Sequence, residues 1–189
     1  MEKHPLVKEI LFSKEQIDTR TAELAEEIDK YYESQDVKEN TVILIGLLKG
    51  CVPFMANFIK YFKHECQTEY MVVSSYLGGT KTVGEPKINL DLNISIKDKH
   101  ILIIEDIIDS GITLDYIKNY LAFKGAKEVK VVTLLDKPEG RTVDMEADWS
   151  GFTIKKEFII GYGLDYEERL RNLPYVAICD TDKLKDWKW

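Results

Sequence analysis

Ile101-Leu-Ile-Ile104 is a short, unbroken apolar run rich in β-branched residues, and with the helix and strand patterns downstream of it this run restricts the fold more than any other stretch of the chain. A run of this kind fits a strand covered on both faces, as in a parallel sheet held between helices. Leu114, Ile117, Tyr120 and Leu121 then recur at helical spacing, and Gly125 stands where a helix stop is expected. Val129 to Leu135 reads as the next strand. Strand, helix and strand within about 35 residues form a βαβ unit, with parallel strands and a right-handed crossover. The expected class is therefore α/β, with a central, mostly parallel sheet flanked by helices.

The junction between the first of these strands and its helix carries the chemistry. Glu105, Asp106 and Asp109 come first, and Ser110-Gly111-Ile112-Thr113 then opens the helix. Ligands of open α/β sheets bind beyond the carboxyl ends of the strands. A small-residue loop running into a helix N-terminus suits a phosphate, and carboxylates suit sugar hydroxyls. Taken singly, each acid reads more simply as a solvated loop residue, and Asp109 or Ser110 as a plain N-cap. Taken together, three acids raise one another's pKa unless a cation or bound donors relieve them. A sugar phosphate accompanied by magnesium satisfies that demand.

Elsewhere the chain reads as one compact unit without repeats or low-complexity linkers. At 189 residues and 44% hydrophobic content it can bury a sizeable core. A net charge of −7 argues against a broad nucleic-acid-binding face. Cys51, Cys66 and Cys179 are scattered, without metal-ligand spacing, and suit reduced thiols. Met1-Glu-Lys-His-Pro5 has no apolar core of a signal peptide, so the expected location is the cytoplasm. Ser13-Lys-Glu-Gln16 fits a capping box, followed by a buried stripe of Ile17, Leu24, Ile28 and Tyr31. Val42 to Gly46 reads as a strand, and Pro53 opens a helix with Phe54, Met55, Phe58, Ile59 and Phe62 on its apolar face. Met71 to Ser75, Glu157 to Ile160 and Tyr175 to Cys179 are further strand candidates. Leu77 to Leu90, with three glycines and little to bury, reads as a mobile hairpin or loop. Gly79 and Gly84 have a Walker-like spacing, but Glu85 occupies the lysine position; Gly161-Tyr-Gly163 lacks the third glycine of a dinucleotide fingerprint.

Glu105-Asp-Ile-Ile-Asp-Ser-Gly-Ile-Thr113 closely resembles the phosphoribosyl-pyrophosphate (PRPP) motif of the type I phosphoribosyltransferases. Leu48-Lys49-Gly50, Ser75-Tyr76, Lys137 and Phe158 to Arg171 narrow the resemblance to the hypoxanthine-guanine phosphoribosyltransferases and extend it over nearly the whole chain. The resemblance implies a type I fold spanning residues 1–189, with a small hood from about 1–12 and 150–189 and a flexible loop at about 75–90. It implies a cis peptide between Leu48 and Lys49. It also implies transfer of 5-phosphoribosyl from PRPP to N9 of a 6-oxopurine, in a homodimer or homotetramer that requires Mg²⁺.

Residue roles carry over in the same way. Glu105 and Asp106 would bind the ribose hydroxyls, and Ser110, Gly111, Ile112 and Thr113 the 5′-phosphate. Asp109 would be the general base. Lys49, Gly50 and Arg171 would hold pyrophosphate, with Ser75 and Tyr76 on the loop that closes over the reacting carbon. Lys137 would donate to the purine oxygen, Phe158 would stack on the ring, and Ile159 would contact its edge. Asp165 would serve the base site and, with Glu105 and Asp106, magnesium. Two alternatives stay open: an enzyme that favours xanthine or another base, and a regulator that keeps the PRPP site and binds RNA.

Overall fold

A computed structural model describes residues 3–38, 41–76 and 85–189. Its centre is a six-stranded sheet in the order β4-β3-β2-β5-β6-β7, formed by β2 (Val42–Leu48), β3 (Cys66–Tyr76), β4 (Glu85–Leu90), β5 (His100–Ile108), β6 (Glu128–Asp136) and β7 (Trp149–Thr153). Every pairing is parallel except that of β3 with β4. Because strand side chains alternate between faces, Ile43, Ile45, Ile101 and Ile103 enter one core and Val42, Leu44, Leu102 and Ile104 the other. Both faces of β2 and β5 are thus buried, which explains their unbroken apolar runs.

Helix α1 (Lys14–Ser34) begins at the expected capping box: the Ser13 side chain accepts from the Gln16 amide and the Gln16 side chain accepts from the Ser13 amide. Its buried stripe ends on Tyr32 rather than Tyr31. Tyr31 stays half-buried, and its hydroxyl bonds Glu128 at the start of β6. Helix α2 (Val52–Phe58) carries Pro53 in its first turn and buries Phe54, Met55 and Phe58. It stops one residue before Ile59, which is 42% exposed and does not join the core. Helix α3 (Ile112–Phe123) covers the opposite face through Leu114, Ile117 and Leu121, and Gly125 follows with φ +90°.

A second, three-stranded sheet has the order β1-β9-β8, built from β1 (Val7–Phe12), β8 (Ile159–Ile160) and β9 (Val176–Cys179). It has its own cluster of Leu6, Val7, Ile160, Leu173, Tyr175 and Ala177. The boundary expected near residue 150 falls inside β7, whose backbone pairs with β6 and belongs to the central sheet. A short helix, α4 (Thr181–Leu184), follows β9. Residues 85–90, expected in the loop, pair with β3 as β4, while 77–84 and the side chains of Ser75 and Tyr76 lie outside the described residues. No helix among the described residues is long and apolar enough to cross a membrane.

Candidate active site

The acids do not follow β5 as expected: Glu105 and Asp106 lie within it. Backbone pairing with β6 continues through Glu105–Thr133 to Ile108–Asp136, so the strand ends four residues later than its apolar run. One consequence is burial. Asp106 is only 9% exposed, and its Oδ1 accepts the Ile107 amide at 2.8 Å. Burial pushes the Asp106 carboxyl up to about 6, against the pull of the Ile107 amide and Arg171. Glu105 is held well above the ordinary carboxylate range by burial first and by Asp106 second. Its Oε2 is buried without a hydrogen-bond partner. An ionisable oxygen in that condition is a standing cost unless a ligand relieves it.

Asp109 emerges from the end of β5 with its side chain 53% exposed, and Lys137 Nζ donates to its Oδ2 at 2.8 Å. Gly111, in the left-handed region at φ +82°, caps α3 without any side-chain cap bond. Neither Asp109 nor Ser110 is the cap; Ser110 Oγ accepts only a long 3.4 Å bond from the Ile112 amide. The N-terminus of α3 thus opens at a cavity with only this long bond on its first amide, a condition suited to an anion site. That cavity, of about 290 Å³, is lined by Glu105 to Gly111, Thr113, Leu114 and, from the loop after β2, Leu48 and Gly50.

The loop after β2 is built tightly against these acids. Its Leu48–Lys49 peptide is cis. A Cβ at Gly50 would fall 1.7 Å from Asp106 Oδ2, so only glycine lets this backbone lie on the carboxylate. Gly163, at φ +102°, backs the same loop: a Cβ there would meet the Gly50 carbonyl at 2.0 Å. Lys49 Nζ turns outward to Glu168 Oε2, 2.7 Å away. Arg171 bonds the Gly163 carbonyl at 2.8 Å, Asp165 at 2.9 Å and Glu168 at 3.3 Å. Asp165 lies near enough to raise the Asp106 pKa.

Phe158 and Ile159 do not line this cavity. Ile159 is buried at 6% exposure and pairs with Ile178. Phe158 is 43% exposed beside a second depression that includes Lys8, Ile178 and Asp182. Three other participants carried no signal in the sequence. Gly140 packs on Asp109, where a Cβ would fall 1.8 Å from Oδ1. Arg141 bonds the carbonyls of Ile108 (2.6 Å), Asp109 (2.7 Å) and Met145 (2.8 Å) and the Asp136 carboxylate, locking the end of β5 to the end of β6. Glu168 joins Lys49 to Arg171. Periodicity marks none of them, because each acts through a close approach that exists only in the fold.

Magnesium takes oxygen ligands and is held by one or two carboxylates, with substrate and water completing its shell. The unpartnered Glu105 oxygen, with Asp106 beside it and Asp165 nearby, fits that pattern. Among the described residues no three His, Cys, Asp or Glu converge as a self-sufficient metal site.

Residues 10–167 match the family described as the phosphoribosyl transferase domain. The hypoxanthine-guanine phosphoribosyltransferase of Lactococcus lactis is 49% identical over 176 residues, covering 93% of each chain. A crystal structure of a hypoxanthine phosphoribosyltransferase from Staphylococcus aureus superposes with a TM-score of 0.88 at 40% identity, covering 95% of both chains. A substituted hypoxanthine phosphoribosyltransferase from Trypanosoma cruzi, complexed with the product IMP, gives 0.90 at 32% identity and covers 98% of both. The chain belongs to the hypoxanthine-guanine phosphoribosyltransferase family of type I phosphoribosyltransferases.

Proposed function

We propose that this protein is a purine-salvage enzyme that transfers 5-phosphoribosyl from PRPP to N9 of hypoxanthine or guanine, giving IMP or GMP and pyrophosphate. The observation that carries the reading is the N-terminus of α3, without a side-chain N-cap, opening beside buried Asp106 and the buried, unpartnered Oε2 of Glu105. The amides from Ser110 to Thr113 receive the 5′-phosphate at the positive end of the helix. Glu105 and Asp106 accept the ribose hydroxyls, which gives the lone Glu105 oxygen its partner.

On the other side of the reacting carbon, Gly50 brings main-chain groups to the pyrophosphate, with Lys49 and Arg171 as its cations. Asp109 takes the proton from the purine imidazole as the new bond forms. The 2.8 Å bond from Lys137 holds the Asp109 carboxylate in place until a purine arrives. Lys137 then turns its N–H donors to the 6-oxo group, which favours an oxopurine over adenine, whose amino group offers donors to a donor. Phe158 stacks on the ring, while Ile159 contacts the ring edge through its backbone. Ser75 and Tyr76 begin the segment that covers the reacting carbon and excludes water. Glu105, Asp106 and, nearby, Asp165 are the residues that would hold magnesium, which would supply neutralising charge for the leaving pyrophosphate.

We further propose that the chain is cytoplasmic and works as a homodimer or homotetramer, which sedimentation of the purified protein measures. The reaction itself is tested by supplying PRPP and Mg²⁺ with hypoxanthine, guanine, xanthine, adenine or uracil. Turnover of hypoxanthine or guanine, stopped by EDTA, supports the assignment. Bound PRPP without turnover of any base would overturn it in favour of a sensor.

A further inference from the structure

Trp189 packs on the one segment that joins the base-side aromatics to the pyrophosphate-side charges. Tyr166 and Arg169 close a two-residue turn with backbone bonds of 3.1 and 3.0 Å. The central residues, Glu167 at φ +50° and Glu168 at φ +65°, are both left-handed without being glycine. Backbone of this kind is strained for residues with a Cβ and persists where its surroundings hold it. Glu168 is held on the inner side by Lys49 and Arg171. Trp189 supplies the outer hold: Nε1 donates to Glu167 Oε2 at 3.1 Å, the Arg169 guanidinium lies 4.7 Å from its ring centroid, and the Tyr166 ring is 6.2 Å away. Trp187, 5.9 Å from Trp189 and itself packed in the small sheet's cluster, anchors it. Tyr166 meets Phe158 edge to face, with centroids 6.0 Å apart and planes at 88°.

We propose that Trp189 is a positioning residue for the purine pocket: by clamping the Tyr166–Arg169 turn it fixes the Tyr166 ring, and through it the plane of Phe158. This rests on the assignment of Phe158 as the residue that stacks on the base. The aromatic chain Phe158–Tyr166–Trp189 reaches the base side, whereas Glu168 is tied to Lys49 and Arg171 by ion pairs in which Trp189 takes no part. Its loss therefore acts on one substrate and spares the other.

Trp189→Ala should raise KM for hypoxanthine about fivefold to tenfold, while kcat and the KM for PRPP change less than about twofold. Trp189→Phe, which keeps a ring against Tyr166 and Arg169 but loses the bond to Glu167, should recover most of that loss. Should the alanine variant fail to fold, Arg169→Met removes only the cation over the ring and should give the same split at about twofold to threefold. Trp149→Phe leaves Trp187 and Trp189 as the emitters among three tryptophans, and GMP should change their fluorescence saturably. An unchanged hypoxanthine KM, an equal rise for both substrates, or emission indifferent to GMP would each overturn the clamp. Absence of purine turnover by the parent chain would instead strike the functional assignment beneath it.

Discussion

Replacing Asp106 by Asn should stabilise the substrate-free protein at neutral pH while weakening its hold on PRPP. Burial raises this carboxyl from 3.8 to about 6 in the fold. Folded protein therefore keeps the proton over a range in which the unfolded chain has lost it. Between about pH 4 and 6 unfolding releases that proton, so stability falls as pH rises, and above about pH 6 the whole cost is present. A shift near two units at 1.36 kcal/mol each makes that cost about 3 kcal/mol. Asn keeps an acceptor for the Ile107 amide and fits beside Gly50 without a charge. Glu105, relieved of the charge beside it, would also be less strained. For a chain of this size the gain corresponds to about 6–12 °C in Tm. Urea denaturation of both proteins in EDTA, from pH 4 to 8, measures it: the two should converge near pH 4 and separate above pH 6. A variant no more stable than its parent at pH 7.5, or a difference independent of pH, would refute the reasoning.

Other substitutions test other parts of the site. Asp109→Asn should lower kcat by about 100-fold with PRPP binding intact; single-turnover kinetics with a PRPP titration separate the two, and unchanged kcat would remove the base role. Arg141→Leu leaves the Asp136 carboxylate and the Ile108 and Asp109 carbonyls without their shared donor, so a loss of about 2–4 kcal/mol is expected in denaturant titrations. Gly163→Ala must both hold φ +102° and push a methyl into the Gly50 carbonyl. A lowered Tm and a raised KM for PRPP should result, and a variant indistinguishable from the parent would argue that the loop moves freely.

The sheet is legible in the sequence wherever both faces of a strand are apolar. β2, β5 and β6 lie within a few residues of where their runs of Ile, Leu and Val place them, because such runs leave little else to form. Their ends are not legible: Glu105 and Asp106 look like loop residues by polarity, yet the ladder to β6 carries them inside the sheet. Gly111 is legible as the turn before α3, because that position takes φ +82°. Arg141, Gly140, Gly163 and Glu168 stay hidden, since each matters through a partner far away in sequence. Tyr31 and Tyr32 show the limit of periodicity: neighbours on a helix, they point about 100° apart, so Tyr32 enters the core while Tyr31 meets Glu128.

Every cation assigned to the substrates is already spoken for in the resting protein: Lys49 by Glu168, Arg171 by Asp165 and Glu168, and Lys137 by Asp109. Each of these cations therefore has a carboxylate partner within the protein. Stray phosphate or carboxylate gains little there, since it only exchanges one anion for another. A ligand that presents pyrophosphate, sugar hydroxyls and phosphate together displaces several of these tethered counterions at once. Such pairing would lead a protein of net charge −7 to favour a ligand that presents all of these groups together over its simpler fragments.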